Sequence, residues 1–305
     1  MAGPVVVLAG GTGGAKLARG MLDVAGADLV VVANTGDDIE IHGAHVAPDP
    51  DLVTFWLADR IDERGWGLAG DTFHVMDGLR ELGDDIWFQL GDRDLAVGLL
   101  RARRLAEGAR LTDALAELSR AYGLRARVLP MSDDRIRTRV RARGAWHDLQ
   151  AFLIREQGRG PVEEVAFDGA QAARATPEVL DALSAARAIV LGPSNPVISL
   201  GPILATPGVR EALVAASAPV VAVSPIVGGE VLKGPTAAFL QGAGQAVGAA
   251  GAVAALDPQG WLDGVVCDEE AELDVPVLRT DTRMADAAGR RRVAQETLRF
   301  AEALA

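Results

Sequence analysis

Four short clusters of glycine, amide, hydroxyl and charged residues carry what chemistry this chain has. They are Gly10-Gly11-Thr12-Gly13-Gly14 with Lys16, Asn34-Thr35-Gly36-Asp37-Asp38, Gly91-Asp92-Arg93-Asp94, and Gly192-Pro193-Ser194-Asn195-Pro196. The first can face an anion, because glycine amides at a helix start offer donors with little side-chain obstruction. It is not a Walker loop: Leu17 follows Lys16, and the four-residue spacing before a Gly-Lys pair is absent. Nor is it a dinucleotide fingerprint, since Lys16 occupies the place of the third glycine. Without a ligand the same residues make a tight strand-to-helix turn, with Lys16 solvated.

In the second cluster, Asp37 and Asp38 can place a divalent cation while Asn34 and Thr35 bond a nucleotide or phosphate. The competing reading is an Asx-type turn with solvated acids. Pro48-Asp49-Pro50-Asp51 adds two carboxylates, although Asp51 also suits a helix N-cap. Arg93, between two acids, can bond an anionic or carbonyl-bearing ligand. In the fourth cluster Asn195 stands between two prolines that stiffen its loop. Ser224-Pro225-Ile226-Val227-Gly228-Gly229, followed by Lys233-Gly234-Pro235-Thr236, is a second candidate anion cradle. Ser132-Asp133-Asp134 reads as a turn or a wall of the site, and Asp281-Thr282 as a ligand group or a helix cap. His42, His45, His74 and His147 have no zinc-like spacing with Cys267. No Ser-His-Asp triad or reactive cysteine stands out. Trp56, Trp66 and Trp87 suit stacking on a flat heterocycle or core packing.

These clusters must be positioned by regular elements. Val5–Ala9 and Leu29–Ala33 read as buried parallel strands, joined by a helix over 15–24. Helices are expected over 51–62, 72–82, 95–104 and 112–121. From Arg125 to about Phe167 the pattern turns to short extended segments, read as an insertion or small subdomain. The α/β rhythm then resumes: helix 177–186 and strand 188–191, helix 207–216 and strand 220–223, helix 236–255 and strand 262–266, and a last helix over 284–304. No internal repeat or linker interrupts it. The expected fold is α/β, a Rossmann-like, doubly wound, mostly parallel sheet with an inserted smaller α+β subdomain (about 125–167), all in one domain over 1–305. Ligands in such sheets sit beyond the carboxyl ends of the strands, where the clusters fall.

The 305 residues include 24% charged and 4% aromatic positions and carry a net charge of −12. That is a globular composition, and its acidity argues against a general nucleic-acid binder. A single cysteine excludes an intramolecular disulfide and fits a reducing compartment. Met1–Leu8 reads as a folded start and not a signal peptide. The apolar stretch 242–256 is too short for a bilayer. A soluble, cytoplasmic protein is expected, with neither membrane nor nucleic acid as partner.

Gly-Gly-Thr-Gly-Gly-Ala-Lys-Leu (10–17), Asn-Thr-Gly-Asp-Asp (34–38), Pro-Asp-x-Asp (48–51), Leu-Gly-Asp-Arg-Asp (90–94), Leu-Pro-Met-Ser-Asp-Asp (129–134), Gly-Pro-Ser-Asn-Pro (192–196) with Pro-Ile-Leu (202–204), and Ser-Pro-Ile-Val-Gly-Gly (224–229) occur in that order. The ordered set resembles the 2-phospho-L-lactate transferase family of coenzyme F420 biosynthesis. Arg64-Gly65-Trp66-Gly67 and Trp87-Phe88 look like its bacterial branch, whose members transfer phosphoenolpyruvate or phospholactate. The resemblance implies transfer of a phospho-acid group from a guanosine diphospho-acid to the terminal ribityl hydroxyl of the deazaflavin FO, releasing GMP. It implies Mg2+ as cofactor; a homodimer is expected because dimers are common for such folds, and the sequence leaves the oligomeric state open. By the same resemblance Gly11, Thr12, Gly13, Gly14, Lys16, Asn34, Thr35, Ser194, Asn195, Ser224, Gly228 and Gly229 would hold nucleotide and phosphates. Asp37 and Asp38 would hold the metal. Asp49, Asp51 and Arg93 would bind FO, and Asp38 and Asp51 would serve catalysis, with the base among residues 38, 49 and 51. No residue declares whether the acid is lactate, enolpyruvate or glycerate. Two rival functions are a nucleotide-sugar-binding regulator of the gluconeogenesis-factor type and an NAD-dependent oxidoreductase. The Arg93 and Asn195 words argue against the first, Lys16 and Asp37-Asp38 against the second.

Overall fold

Short apolar runs that stay buried on both faces build the centre of the molecule. The structure is a computed structural model that describes residues 3–232, 234–257 and 259–305. Lys233, named in the second candidate cradle, lies outside them. In chain order the first half runs β1 (Val5–Ala9), α1 (Gly11–Ala25), β2 (Leu29–Ala33), β3 (Ile39–Ile41), β4 (Ala44–Val46), α2 (Pro48–Leu57), α3 (His74–Glu81), α4 (Asp92–Ala106), α5 (Leu111–Ala121), β5 (Arg127–Pro130), β6 (Arg137–Ala142), β7 (Ala145–Asp148), α6 (Leu149–Ile154) and β8 (Val162–Asp168). The second half continues α7 (Pro177–Ser184), β9 (Ala188–Leu191), α8 (Leu200–Ala205), α9 (Val209–Ala215), β10 (Val220–Val223), β11 (Ile226–Val227), β12 (Glu230–Val231), α10 (Thr236–Gly242), α11 (Ala249–Leu256), β13 (Gly264–Cys267), β14 (Val277–Arg279) and α12 (Ala287–Ala303).

Seven strands form one parallel sheet in the order β14-β13-β10-β9-β1-β2-β5. Alternation along β1 divides the core between the faces. Val6 and Leu8 pack with Ile189, Leu191 and helices α7–α9, while Val5, Val7 and Ala9 pack with α1, α2 and α12. Uninterrupted Val/Ile/Leu runs are what a sheet covered on both faces requires. Leu8 is fully buried. Leu8→Ala should therefore cost about 2–5 kcal/mol, as a lower urea midpoint at unchanged m-value.

The chain order reverses between β1 and β9. From β1 it winds outward through β2 to β5, and from β9 outward in the other direction to β14. A crevice opens at such a switch point beyond the carboxyl ends of the strands. The glycine loop after β1 and the Pro-Ser-Asn-Pro loop after β9 flank it.

The stretch expected as an insertion opens with β5, which pairs with β2 at the edge of the main sheet. Its remainder includes the antiparallel sheet β7-β6-β8 with α6, packed through Phe152 onto Phe239 of α10. A helix expected over 236–255 is two helices. Gly244 and Gly248 hold positive φ angles of 74° and 158° between them, and a Cβ on Gly242 would meet the Val162 carbonyl at 2.5 Å. The alanine-rich sequence concealed that break, as glycine is only mildly disfavoured within a helix. Likewise 207–216 yields α9 alone, preceded by the short α8 that apolar periodicity did not reveal.

Candidate active site

The crevice is a cavity of about 540 Å³, within the range for small-molecule sites. Its floor is the start of α1. Gly10 is extended, Gly11 turns at φ 62°, and Thr12, Gly13 and Lys16 line the space. Glycine is required by the neighbouring loop. A Cβ on Gly13 would lie 2.0 Å from the Pro193 carbonyl oxygen, and one on Gly14 2.5 Å from Ser194 Oγ. Ser194 Oγ accepts from the Gly10 amide at 3.2 Å, which joins the two loops. The 15-residue α1 carries no acid in its first turn, so its positive dipole end faces the cavity uncompensated by its own sequence.

Asn195 uses its side-chain oxygen on its own loop, accepting from the Val197 and Ile198 amides at 2.9 and 3.2 Å. Its amide nitrogen donates to Thr236 Oγ1 at 3.4 Å on the cavity wall. Leu149 and Leu153 of α6, with Ile198, Val227 and Met284, give apolar wall, and Arg283 stands at the β14 side. Lys16 lies 5.8 Å from the Trp56 ring centroid, in cation–π range.

The β2 side is acidic. Asp49, buried in the first turn of α2, accepts from the Gly11 amide at 2.5 Å and from Asn34 Nδ2 at 2.9 Å. Burial pushes its carboxyl up to about 6, against the opposing effect of those two donors, and Asp38 adds to the rise. Asp37 also lines the cavity, with only long contacts from Gln150 Nε2 at 3.3 Å and Asn34 Nδ2 at 3.4 Å. Burial, then the charges of Asp49 and Asp38, hold it well above the usual carboxylate range. One end of the cavity is therefore acidic and the other carries Arg283.

A family model described as 2-phospho-L-lactate transferase CofD matches residues 5–299. A phosphoenolpyruvate transferase of Streptomyces coelicolor is 42% identical over 272 residues, covering 87% of this chain and 85% of the relative. A 2-phospho-L-lactate transferase of Methanosarcina mazei is 38% identical over 273 residues, covering 88% of each. The chain belongs to the CofD 2-phospho-L-lactate transferase family. It is an enzyme, a transferase. The crystal structure of a UPF0052 family member from Bacillus halodurans superposes with TM-score 0.62 at 18% identity, covering 98% of this chain and 99% of that one, which establishes a shared fold alone.

The fold of this CofD transferase brings some expected residues together and parts others. Gly11, Thr12, Gly13, Lys16, Asp37, Asp49, Ser194, Asn195 and Ser224 line the cavity. Gly14 and Asn34 lie beneath it as packing and support, and Thr35 is buried beside them. Gly228 and Gly229 do not line it, and the Gly228 amide is already spent on Asp268 Oδ2 at 2.8 Å. Asp38 turns away: His45 Nε2 lies 3.0 Å from its Oδ2, and burial raises its pKa despite that partner. Asp51, expected as an FO ligand and catalytic group, has both carboxylate oxygens on the Arg101 guanidinium. The reason is helical geometry. α2 begins at Pro48, not at residue 51, so Asp49 and Asp51 share its first turn about 200° apart. Arg93 is exposed at the start of α4 and outside the cavity lining, with Asp71 accepting from its backbone amide. Sequence reasoning missed Arg101, Gln150, Arg283 and the two leucines of α6. Arg283 directly follows the Asp281-Thr282 pair, and that adjacency is the signal the sequence offers.

Among the described residues no helix is long and apolar enough to cross a membrane. No group of three or more His, Cys, Asp or Glu among them is arranged for a metal. Mg2+ does not need one, since it commonly takes one or two carboxylates and completes its shell with water and substrate phosphates. Asp37 suits that role: it lines the cavity, its side-chain bonds are long, and a cation would favour the ionised carboxylate that burial and its acidic neighbours oppose. Asp38 lies outside the cavity lining, with its Oδ2 on His45 and its Oδ1 buried and unpartnered among the described residues.

Proposed function

We propose that this transferase moves a phospho-acid group, phosphoenolpyruvate or 2-phospho-L-lactate, from a guanosine diphospho-acid to the terminal ribityl hydroxyl of FO, releasing GMP, in coenzyme F420 biosynthesis. The observation that carries the reading is near-full-length similarity to transferases of both names. The switch-point cavity supports it by offering amide and hydroxyl donors beside an acidic corner.

In this reading the amides of Thr12 and Gly13, the hydroxyl of Ser194 and the amide of Asn195 hold the donor's phosphates, and Lys16 adds charge. Asp37 would hold Mg2+, which when bound neutralises charge on the phosphate oxygens. The hydroxyl oxygen of FO forms a bond to the phosphorus bearing the acid, and the bond from that phosphorus to the GMP oxygen breaks. Asp49 lies at the acidic end and accepts the hydroxyl proton. With its pKa near 6, it is a better base than an ordinary carboxylate. Little covalent help is needed, because phosphoryl transfer rests mainly on positioning and charge stabilisation. Arg93, exposed and outside the cavity lining, would meet the part of FO that extends beyond the cavity, the role the resemblance assigns to it.

Incubation with FO, Mg2+ and lactyl, enolpyruvyl and glyceryl guanosine diphospho-donors in competition tests this. GMP and a mass-identified phospho-acid-FO product are expected, and the preferred product names the acid. No GMP release with any donor would refute the reading. Arg93→Ala should raise the KM for FO about tenfold or more, as loss of a charged contact does; an unchanged FO titration would remove Arg93 from the acceptor site.

A further inference from the structure

Arg101 looks like one member of a basic run on a surface helix, yet it is only 3% exposed. Its guanidinium donates to both oxygens of Asp51, with Nη1 to Oδ2 at 3.1 Å, and to the His45 carbonyl at 2.9 Å. His45 in turn places Nε2 3.0 Å from Asp38. Close approach is built in one turn earlier on α4. A Cβ on Gly98 would sit 3.0 Å from Ala44 Cβ and 3.2 Å from the His45 carbonyl oxygen.

One buried side chain thus ties α4, whose first turn carries Arg93, to α2, which carries Asp49, and to β4, whose His45 anchors the Asp37-Asp38 turn. Stability alone is a poor account of such a pair. A buried ion pair is often replaced by apolar residues at no loss, because desolvation cancels much of the attraction. Geometry is what a bidentate, planar fork supplies.

We propose that Arg101 is a positioning residue for acceptor transfer, setting the placement of the Arg93-bearing helix relative to Asp49. The proposal rests on the functional reading above, in which Asp49 and Arg93 face the acceptor.

The test is the double variant Arg101→Met/Asp51→Leu, which removes the pair without leaving a lone buried charge. It should fold, melt within a few degrees of the wild type, and bind GDP within about threefold. Its kcat/KM for FO should nevertheless fall on the order of 10–100-fold, the scale of a small misplacement of reacting groups. Arg101→Lys, which keeps the charge but loses the fork, should shift the same parameter in the same direction. It decides the matter if the double variant does not fold. A folded variant with wild-type kcat and KM for FO would overturn the proposal and leave Arg101 a structural residue. Failure of the wild type itself to release GMP with FO would instead overturn the functional reading.

Discussion

Asp49→Asn is expected to lower kcat on the order of 10²–10⁴-fold, the usual range for removing a positioned base. The substitution is nearly isosteric, so loss of bulk does not explain the effect. A carboxylate accepts at both oxygens, and Asp49 uses one for the Gly11 amide and one for Asn34 Nδ2. An asparagine has one acceptor and one donor, so one of those two donors must lose its partner. In the wild type, activity should rise with pH through an apparent pKa near 6, because the ionised form is the one that accepts a proton. Stability should move the opposite way. The folded-state pKa is above the unfolded one, so this group's contribution is complete below about 4 and is lost as pH rises through about 6. A kcat/KM profile flat from pH 5 to 8, or an Asp49→Asn enzyme at wild-type rate, would exclude Asp49 as the base.

Gly13→Ala should be nearly as damaging by a different route. A methyl group 2.0 Å from the Pro193 carbonyl oxygen cannot be accommodated. The glycine loop and the Pro-Ser-Asn-Pro loop must part, which widens the phosphate site and breaks contact between its two walls. GDP affinity should fall 100-fold or more, with about 1–3 kcal/mol lost in stability from overpacking. Gly78→Ala is the control. A Cβ there meets nothing within 4 Å, and the added methyl favours the helix by roughly 0.5–1 kcal/mol. Calorimetric titration with GDP and thermal melts compare the two; equal GDP affinity in Gly13→Ala and wild type would show that the loops need not touch.

The central strands and the phosphate loops were legible because their signals are local. Val5–Ala9 is a continuous apolar run ended by glycine, and Asn195 is framed by prolines. The acidic corner was legible only in part. The residue types pointed to it, but which of Asp37 and Asp38 or Asp49 and Asp51 faces the cavity depends on where α2 starts and how the turn is held. The start of α2 at Pro48 puts Asp49 on the cavity and Asp51 against Arg101. Arg101 was not legible at all, since in Arg101-Ala102-Arg103-Arg104 nothing distinguishes the buried arginine from its exposed neighbour Arg103. Only the packing of α4 on β4 separates them.

The reversal between β1 and β9 also has a consequence for synthesis of the chain. β1 can pair with β2 soon after both leave the ribosome, but its other edge waits for Ala188–Leu191. At roughly 5–20 residues per second, that interval is on the order of ten seconds or more. Throughout it, Val5–Ala9 presents an unpaired, wholly apolar edge of the kind that recruits other chains. The strand that carries the phosphate loop is thus an aggregation hazard in the nascent chain, and a holdase chaperone should bind there until the second half of the sheet arrives.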